Sequence, residues 1–131
     1  MKREILDLAN KGLTEIKEIP EGVQLLILDD NKLKYLPKLP DSLERLYCEN
    51  NELVELPELP AKVRLVCCSN NKIKKMPKLP EGILELLCAR NPIEEAFNIP
   101  DKIRTLEMDN VSSAEYARQR FCKNATVTFT K

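Results

Sequence analysis

The side chains best suited to chemistry in this sequence are its cysteines, and histidine is absent. The five thiols are Cys48, Cys67, Cys68, Cys88 and Cys122. Three of them recur at steps of 20 residues, a regularity that raises the possibility of a zinc site built from thiolates. The slot that they share is filled in other copies by Leu28 and Met108. The three cysteines are therefore better explained as small buried apolar residues, and we predict no metal and no cofactor.

The remaining candidates for catalysis are few. Cys67 is the most exposed thiol that the sequence suggests, on the opposite strand face from Cys68, but no histidine or nearby basic pair would activate it as a nucleophile. The absence of histidine excludes the Ser-His-Asp triad and zinc-histidine sites. No phosphate-binding loop or supported pair of acid and base is visible. We therefore predict a protein that is not an enzyme and has no catalytic residues.

Composition limits the classes of partner and the cellular compartment that we expect. The chain has 131 residues, with 21 lysines and arginines balanced by 21 aspartates and glutamates, so bulk charge does not favour nucleic acid or an anionic membrane. The longest apolar stretch, Leu25 to Leu28, is far shorter than the roughly 20 residues that span a bilayer. An odd number of cysteines and a charged start, MKREILDL, favour a reducing compartment. We expect a cytoplasmic protein with one domain.

The elements that position these residues form an internal repeat. Prolines at 20, 40, 60, 80 and 100 each open a copy, and residues 5–19 form a truncated first copy. Three columns are apolar in every complete copy: Val23, Leu43, Val63, Ile83, Ile103; Leu26, Leu46, Val66, Leu86, Leu106; and Leu28, Cys48, Cys68, Cys88, Met108. The last two columns are two residues apart, which predicts a short strand with one buried face in each copy.

Two further features describe the rest of each turn. An asparagine recurs after every strand, at Asn31, Asn51, Asn71 and Asn91, where its amide can bond buried backbone groups. The copies return through segments such as LPKLP and LPELP, whose prolines favour extended backbone over helix. We predict a convex side without helices.

The pattern LxxLxLxxNxLxxLPxLP in these copies resembles the short leucine-rich repeat of bacterial effectors of the YopM and IpaH type. The resemblance implies an α/β solenoid, mostly β, coiled in a right-handed sense, with a parallel sheet on its concave face. It also implies protein binding, and action in the cytoplasm of a host cell. An N-terminal helical hairpin and the ubiquitin ligase domain of IpaH proteins have no counterpart here, so ligase activity is not carried over.

We divide the chain into six repeat turns, residues 1–111 with the first turn truncated, and a C-terminal cap, residues 112–131. Ser112 and Glu115 have the spacing of a capping box, which predicts a helix at about 113–122. The sequence ATVTFT alternates polar and apolar residues and predicts a strand at about 125–130. A docking role for this tail is the alternative to capping.

The candidate site lies on the concave face, where strand residues point away from the core. The predicted partner-binding residues are Leu25, Ile27, Asp29, Arg45, Tyr47, Glu49, Leu65, Cys67, Glu85 and Leu87. They would form an apolar patch with a mostly acidic rim, the usual anatomy of a protein-binding surface. Tyr47 and Arg45 are the best single anchors. The alternative is that exposed aliphatic residues on short strands only pack against their neighbours.

Two hypotheses of function follow. The first is a module that binds a protein or peptide partner through the concave face, with an interface near or below about 800 Å² on each side. The second is a structural homodimer formed by the same patch or by an edge strand. Nucleic acid remains disfavoured at the lysine-rich stretch NKIKKMPK, because acidic residues on both neighbouring turns neutralise it.

Overall fold

The computed structural model describes residues 4–94, 97–109 and, as backbone, 126–130. Their seven strands are β1 (Ile5–Asp7), β2 (Leu25–Ile27), β3 (Arg45–Tyr47), β4 (Leu65–Cys67), β5 (Glu85–Leu87), β6 (Thr105–Asp109) and β7 (Thr126–Thr130). They form one sheet in the order of the sequence, and every neighbouring pair is parallel. Strands β1 to β6 are offset by one repeat of 20 residues, as in the pairing of Leu26 with Leu46. The predicted β-solenoid is confirmed.

The core lies on one side of this sheet. All three predicted apolar columns are buried, and the side chains at Leu26, Leu46, Val66, Leu86 and Leu106 have no exposed surface. A further column, which the sequence analysis did not single out as inward-facing, comes from the end of each proline-rich return: Ile19, Leu39, Leu59, Leu79 and Ile99. Ile93 and Leu36 are only partly buried against the core, although their equivalents Leu33, Leu53, Ile73, Leu56 and Met76 are buried. The coil is therefore filled by aliphatic side chains from both the strands and the returns.

The asparagines after the strands form a ladder of hydrogen bonds between turns. The Asn71 amide nitrogen donates to the carbonyls of Cys48 at 2.9 Å and Cys68 at 3.0 Å, and its Oδ1 accepts from the backbone amide of Leu53 at 3.0 Å. Asn31, Asn51 and Asn91 repeat this arrangement. Each side chain thus satisfies buried backbone groups of its own turn and of the preceding one.

Two tight corners reverse the chain in each turn. The first corner follows the strand and holds one residue with positive φ, at Asn10, Asp30, Asn50, Asn70 and Arg90. The second follows the proline that opens the copy, whose carbonyl accepts a bond from the amide three residues later, as from Leu43 to Pro40 at 3.0 Å. Between them the described backbone is extended and contains no helix, as predicted for the convex side.

The C-terminal strand β7 pairs with β6 over five residues, from Thr105 with Thr126 to Asp109 with Thr130. A strand therefore stands where the sequence predicts one at about 125–130. The helix predicted at about 113–122 lies outside the described residues, and the division of the chain at residue 111 stays a prediction. Within the described part, no helix combines the length and the apolar character needed to cross a bilayer.

Candidate functional site

Two columns of side chains cover the sheet face opposite the core, which we continue to call the concave face. The strand register aligns Leu25, Arg45, Leu65 and Glu85 in one column, and Ile27, Tyr47, Cys67 and Leu87 in the other. Arg45 is exposed, and the others except Cys67 are half-buried. Partners in register on neighbouring strands lie about 4.8 Å apart, so each column is a continuous row of contacting side chains.

The two columns differ in their chemistry. The second is apolar from Ile27 to Leu87, whereas in the first Arg45 separates Leu25 from Leu65. The predicted apolar patch thus consists of one apolar row and, in the neighbouring column, of Leu25 and Leu65 on either side of Arg45. The apolar groups of the two columns still lie on neighbouring strands, and we call Ile27, Tyr47, Leu65 and Leu87 the apolar floor.

Cys67 departs from the expectation that it would offer accessible surface. Its exposed fraction is only 6%, although it lies outside the buried core cluster and on the concave side. Tyr47 and Leu87 flank it in register, and both are much longer than a cysteine side chain, so they cover it. Cys67 therefore lines the base of the apolar floor and is not an accessible anchor.

The thiols of the described residues are all free and buried. Burial, followed by repulsion from Glu49 and Asp29, raises the pKa of Cys67 to about 12, and burial raises the pKa of Cys88 to about 12 as well. The pKa values of Cys48 and Cys68 are raised by burial in the same way. Such thiols stay protonated at neutral pH and are poor nucleophiles. Within the described ranges no group of three or more acidic or thiol side chains could hold a metal ion.

An acidic rim follows the carboxyl ends of the strands. It comprises Asp29, Asp30, Glu49 and Asp109, and Glu107 lies beside it within β6, in register with Leu87. Asp29 Oδ1 accepts a hydrogen bond from the Glu49 amide at 2.8 Å, and Asp30 Oδ1 accepts one from the Asn50 side chain at 2.8 Å. These bonds fix the carboxylates of one turn against the next.

Repulsion and burial shape the electrostatics of this rim. Burial raises the pKa of Asp29, opposed by the hydrogen bond from Glu49 and reinforced by the charges of Asp30 and Asp7. The pKa of Glu49 is raised by burial first and then by Asp29, Glu107 and Asp30. Each carboxylate therefore disfavours the ionised form of its neighbours, and the rim concentrates negative potential beside the apolar floor.

Ser69 is a residue of this rim column that the sequence analysis missed. It is 5% exposed, and its hydroxyl has no hydrogen-bond partner. The repeat alignment could have identified it, because one position of the repeat holds an acid at Asp29, Glu49 and Asp109. The two intervening copies have Ser69 and Ala89 there. Asp109 instead accepts hydrogen bonds from the backbone amides of Arg90 at 2.7 Å and Asn91 at 3.1 Å.

Away from the concave face, charges of opposite sign on neighbouring turns form one described ion pair. Lys72 Nζ lies 3.6 Å from Glu52 Oε1, and both side chains are exposed. Such a surface pair contributes at most about 1 kcal/mol. Glu52 and Lys72 are 20 residues apart, so this ion pair connects equivalent positions of two neighbouring turns.

Solved structures share this arrangement of turns. YopM from Yersinia enterocolitica WA-314 matches with a TM-score of 0.74 and 28% identity, over 82% of this chain and 25% of the YopM chain. The chain is a leucine-rich-repeat protein that resembles YopM. A leucine-rich-repeat domain of a Shigella effector has the same fold, with a TM-score of 0.77 and 20% identity, over 96% of this chain and 81% of that domain.

The comparisons also define how far the likeness extends. This leucine-rich-repeat chain spans about a quarter of the length of the YopM that it matches. No family model and no curated protein sequence matches it. The repeat-based recognition and the solenoid fold are confirmed, and the leucine-rich-repeat neighbours suggest a module for protein interaction.

Proposed function

We propose that this chain is a non-enzymatic recognition module that binds a protein or peptide through its concave face. The observation that carries the proposal is the row of half-buried apolar side chains, Ile27, Tyr47 and Leu87, which faces away from a core that is already complete. Desolvating such a row against a partner is favourable, at about 25 cal/mol per Å² of apolar surface. The acidic rim beside it supplies polar contacts and specificity.

The chemistry of the face also supports the choice of partner class. The acidic rim repels phosphate groups, which disfavours nucleic acid and anionic membranes as ligands. Six short strands at about 4.8 Å spacing give a narrow surface, suited to a peptide or a compact domain. Free thiols and the likeness to YopM support a cytoplasmic site of action, including the cytoplasm of a host cell.

Affinity capture with the purified full chain tests this function. Tyr47→Glu combined with Leu65→Asp places two charges on the apolar floor, and a partner of the concave face should be lost by at least tenfold. The matched control is Tyr35→Glu combined with Val54→Asp, since Tyr35 and Val54 are exposed apolar residues outside the concave face, at 61% and 39%.

A captured protein counts only when it binds directly after purification and the control variant still binds it. Equal recovery by the folded floor variant and by wild type would show that the concave face is not the binding surface. Thermal unfolding of both variants verifies that they are folded before recovery is compared.

Self-association is the second candidate, and one observation favours it. Among the described strands β1 lies at the edge of the sheet, and Ile5 on that strand is 58% exposed. Edge strands with apolar side chains can pair with a second copy. Light scattering over a concentration series tests it: a mass that stays at one chain, unchanged by Ile5→Lys, contradicts the homodimer.

A further inference from the structure

The two rims of the concave face carry different charges. At the carboxyl ends of the strands the side chains are mainly acidic, and Arg90 is the one cation of that rim among the described residues. Immediately before the strands the equivalent positions are mixed, with Gln24, Glu44, Arg64, Leu84 and Arg104. The field of the face is therefore directional, negative along one side and balanced along the other.

Four of the acidic side chains on this face, those of Asp29, Asp30, Glu49 and Glu107, have no compensating cation among the described residues. Among the described residues, no lysine or arginine forms an ion pair with Asp29, Asp30, Glu49 or Glu107, and the ion pair between Lys72 and Glu52 lies elsewhere. Asp29 and Glu49 are also partly buried, which makes their mutual repulsion stronger than it would be in open water. A cation supplied from outside would relieve this repulsion.

The negative field extends over the apolar floor. The thiol of Cys67, at the base of the floor, is affected by the charges of Glu49, Asp29, Glu85 and Glu107, which lie on four other strands or strand ends. In the described ranges these carboxylates do not converge into a group able to hold one metal ion. Their spacing suits several cationic side chains held along one segment better than a single ion.

We propose that the concave face binds a partner segment in which lysine or arginine side chains alternate with apolar ones, the cations meeting the acidic rim and the apolar groups covering the floor. This inference rests on the proposed function and specifies its partner chemistry. A guanidinium can pair with a rim carboxylate through two parallel hydrogen bonds. The aliphatic stems of lysine and arginine can lie on Ile27 and Leu87, and Tyr47 offers an aromatic face to a cation.

Selection from a displayed peptide library of random composition, with the full chain as bait, tests this partner chemistry. We expect the enriched peptides to carry net positive charge and at least one large apolar residue. Synthetic copies of them are then titrated against three chains: wild type, Asp29→Asn with Glu49→Gln, and Glu55→Gln with Glu58→Gln. The first variant keeps an oxygen at Asp29 for the Glu49 amide, and the second removes the same charge at exposed glutamates off the face.

Neutralising Asp29 and Glu49 should weaken binding roughly three- to tenfold, from the loss of two partly exposed ion pairs. The control variant should bind as wild type does. Raising the salt concentration should weaken wild-type binding more than it weakens binding to the neutralised variant.

The outcomes separate this inference from the proposed function. Binding that is lost in Tyr47→Glu with Leu65→Asp, but is insensitive to Asp29→Asn with Glu49→Gln and favours neutral or acidic peptides, overturns the cationic partner and leaves the binding face in place. Binding that depends on the acids and ignores the floor variant also overturns the proposal, because the apolar half is then unused. The absence of any peptide that depends on the concave face contradicts both the partner chemistry and the function.

Discussion

At the scale of single residues, the side chains at one position of the acidic rim differ from turn to turn in how their polar groups are hydrogen-bonded. The carboxylates of Asp29 and Asp109 accept hydrogen bonds from backbone amides of neighbouring turns. Ala89 has no polar group to satisfy and is fully buried. Ser69 lies between these solutions, with a hydroxyl that is buried and unpaired. Its cost is the desolvation of that hydroxyl.

Replacing Ser69 with alanine should therefore stabilise the protein, by about 1 kcal/mol, because it removes an unpaired buried hydroxyl. Ser42→Ala is the matched comparison and should destabilise by about 1 kcal/mol. The Ser42 hydroxyl donates to the Val23 carbonyl at 2.8 Å and accepts from the Gly22 amide at 3.0 Å. Urea unfolding of both variants measures the two signs. Equal losses of stability would contradict the assignment of Ser69 as unpaired.

Glu49 couples stability to pH. Its pKa is raised in the folded chain, mainly by burial and then by Asp29, so the folded state binds the proton more tightly than the unfolded state does. Stability attributable to this group is therefore fully present at low pH and is lost as pH rises through the raised value. Glu49→Gln should raise the melting temperature at pH 7 by about 1 to 2 °C and leave it nearly unchanged at pH 3. Thermal unfolding at the two pH values checks this, and a larger gain at pH 3 would reverse the sign.

At the scale of the repeated element, the asparagine ladder is the most costly feature to interrupt. Asn71 contacts three carbonyls through its amide nitrogen and one backbone amide through Oδ1. Asn71→Ala leaves these groups buried without partners and should cost about 2 to 3 kcal/mol. Asn98→Ala, at an exposed position on a return, serves as the control and should change the free energy of unfolding by less than about 0.5 kcal/mol. Similar losses in chemical unfolding would show that the ladder does not carry the stability we assign to it.

The corner after the strand places one residue in the left-handed region of backbone conformation, with positive φ, and in one turn that residue is an arginine, which disfavours this region. Four of the five positions hold asparagine or aspartate, which tolerate this region, whereas Arg90 has φ of 55°. Arg90→Asn should therefore stabilise by about 0.5 to 1 kcal/mol, since its backbone amide can keep the bond to Asp109. The midpoint of urea unfolding measures the gain. A loss of stability would mean that the arginine side chain contributes more than its backbone strain removes.

The element level was the most predictable from sequence. Spacing of two residues between Leu26 and Leu28 correctly assigned the strand and its buried face, because alternation fixes the side on which each side chain lies. The same rule could not give the exposure of Cys67, which depends on the lengths of Tyr47 and Leu87 across the sheet. The inward turn of Leu39 and its equivalents was not singled out because the prolines around them interrupt any regular period.

At the scale of the whole molecule, the thiols report on cooperative unfolding. In a Cys122→Ser background the four remaining cysteines are those described as buried, and the pKa values of Cys67 and Cys88 are raised to about 12. A thiol reagent at pH 8 should label none of them within minutes and all of them in denaturant, because only the deprotonated and accessible form reacts. Rapid labelling of the native chain would show that the cover provided by Tyr47 and Leu87 opens locally.

The candidate site was less predictable than the architecture around it. The positions on the concave face, including that of Arg45 between Leu25 and Leu65, followed from register, but the burial of Cys67 and the shared field of the acids depend on how the turns are set against one another. Both are properties of stacked neighbours, which a single repeat does not contain. The face that any partner meets is for this reason a property of the assembled coil.

The hydrogen bonds of the ladder connect each turn only with the adjacent ones, over separations of 18 to 23 residues. The length of the coil is thus set by the number of whole turns. Excising one complete repeat of 20 residues would shorten the coil by about 4.8 Å and leave the remaining turns aligned, whereas excising 19 would leave one turn of 21 residues at the junction, with one residue that does not fit the register of its neighbours. Loss or gain of whole repeats therefore disturbs the coil least, and the footprint offered to a partner then changes in steps of one turn.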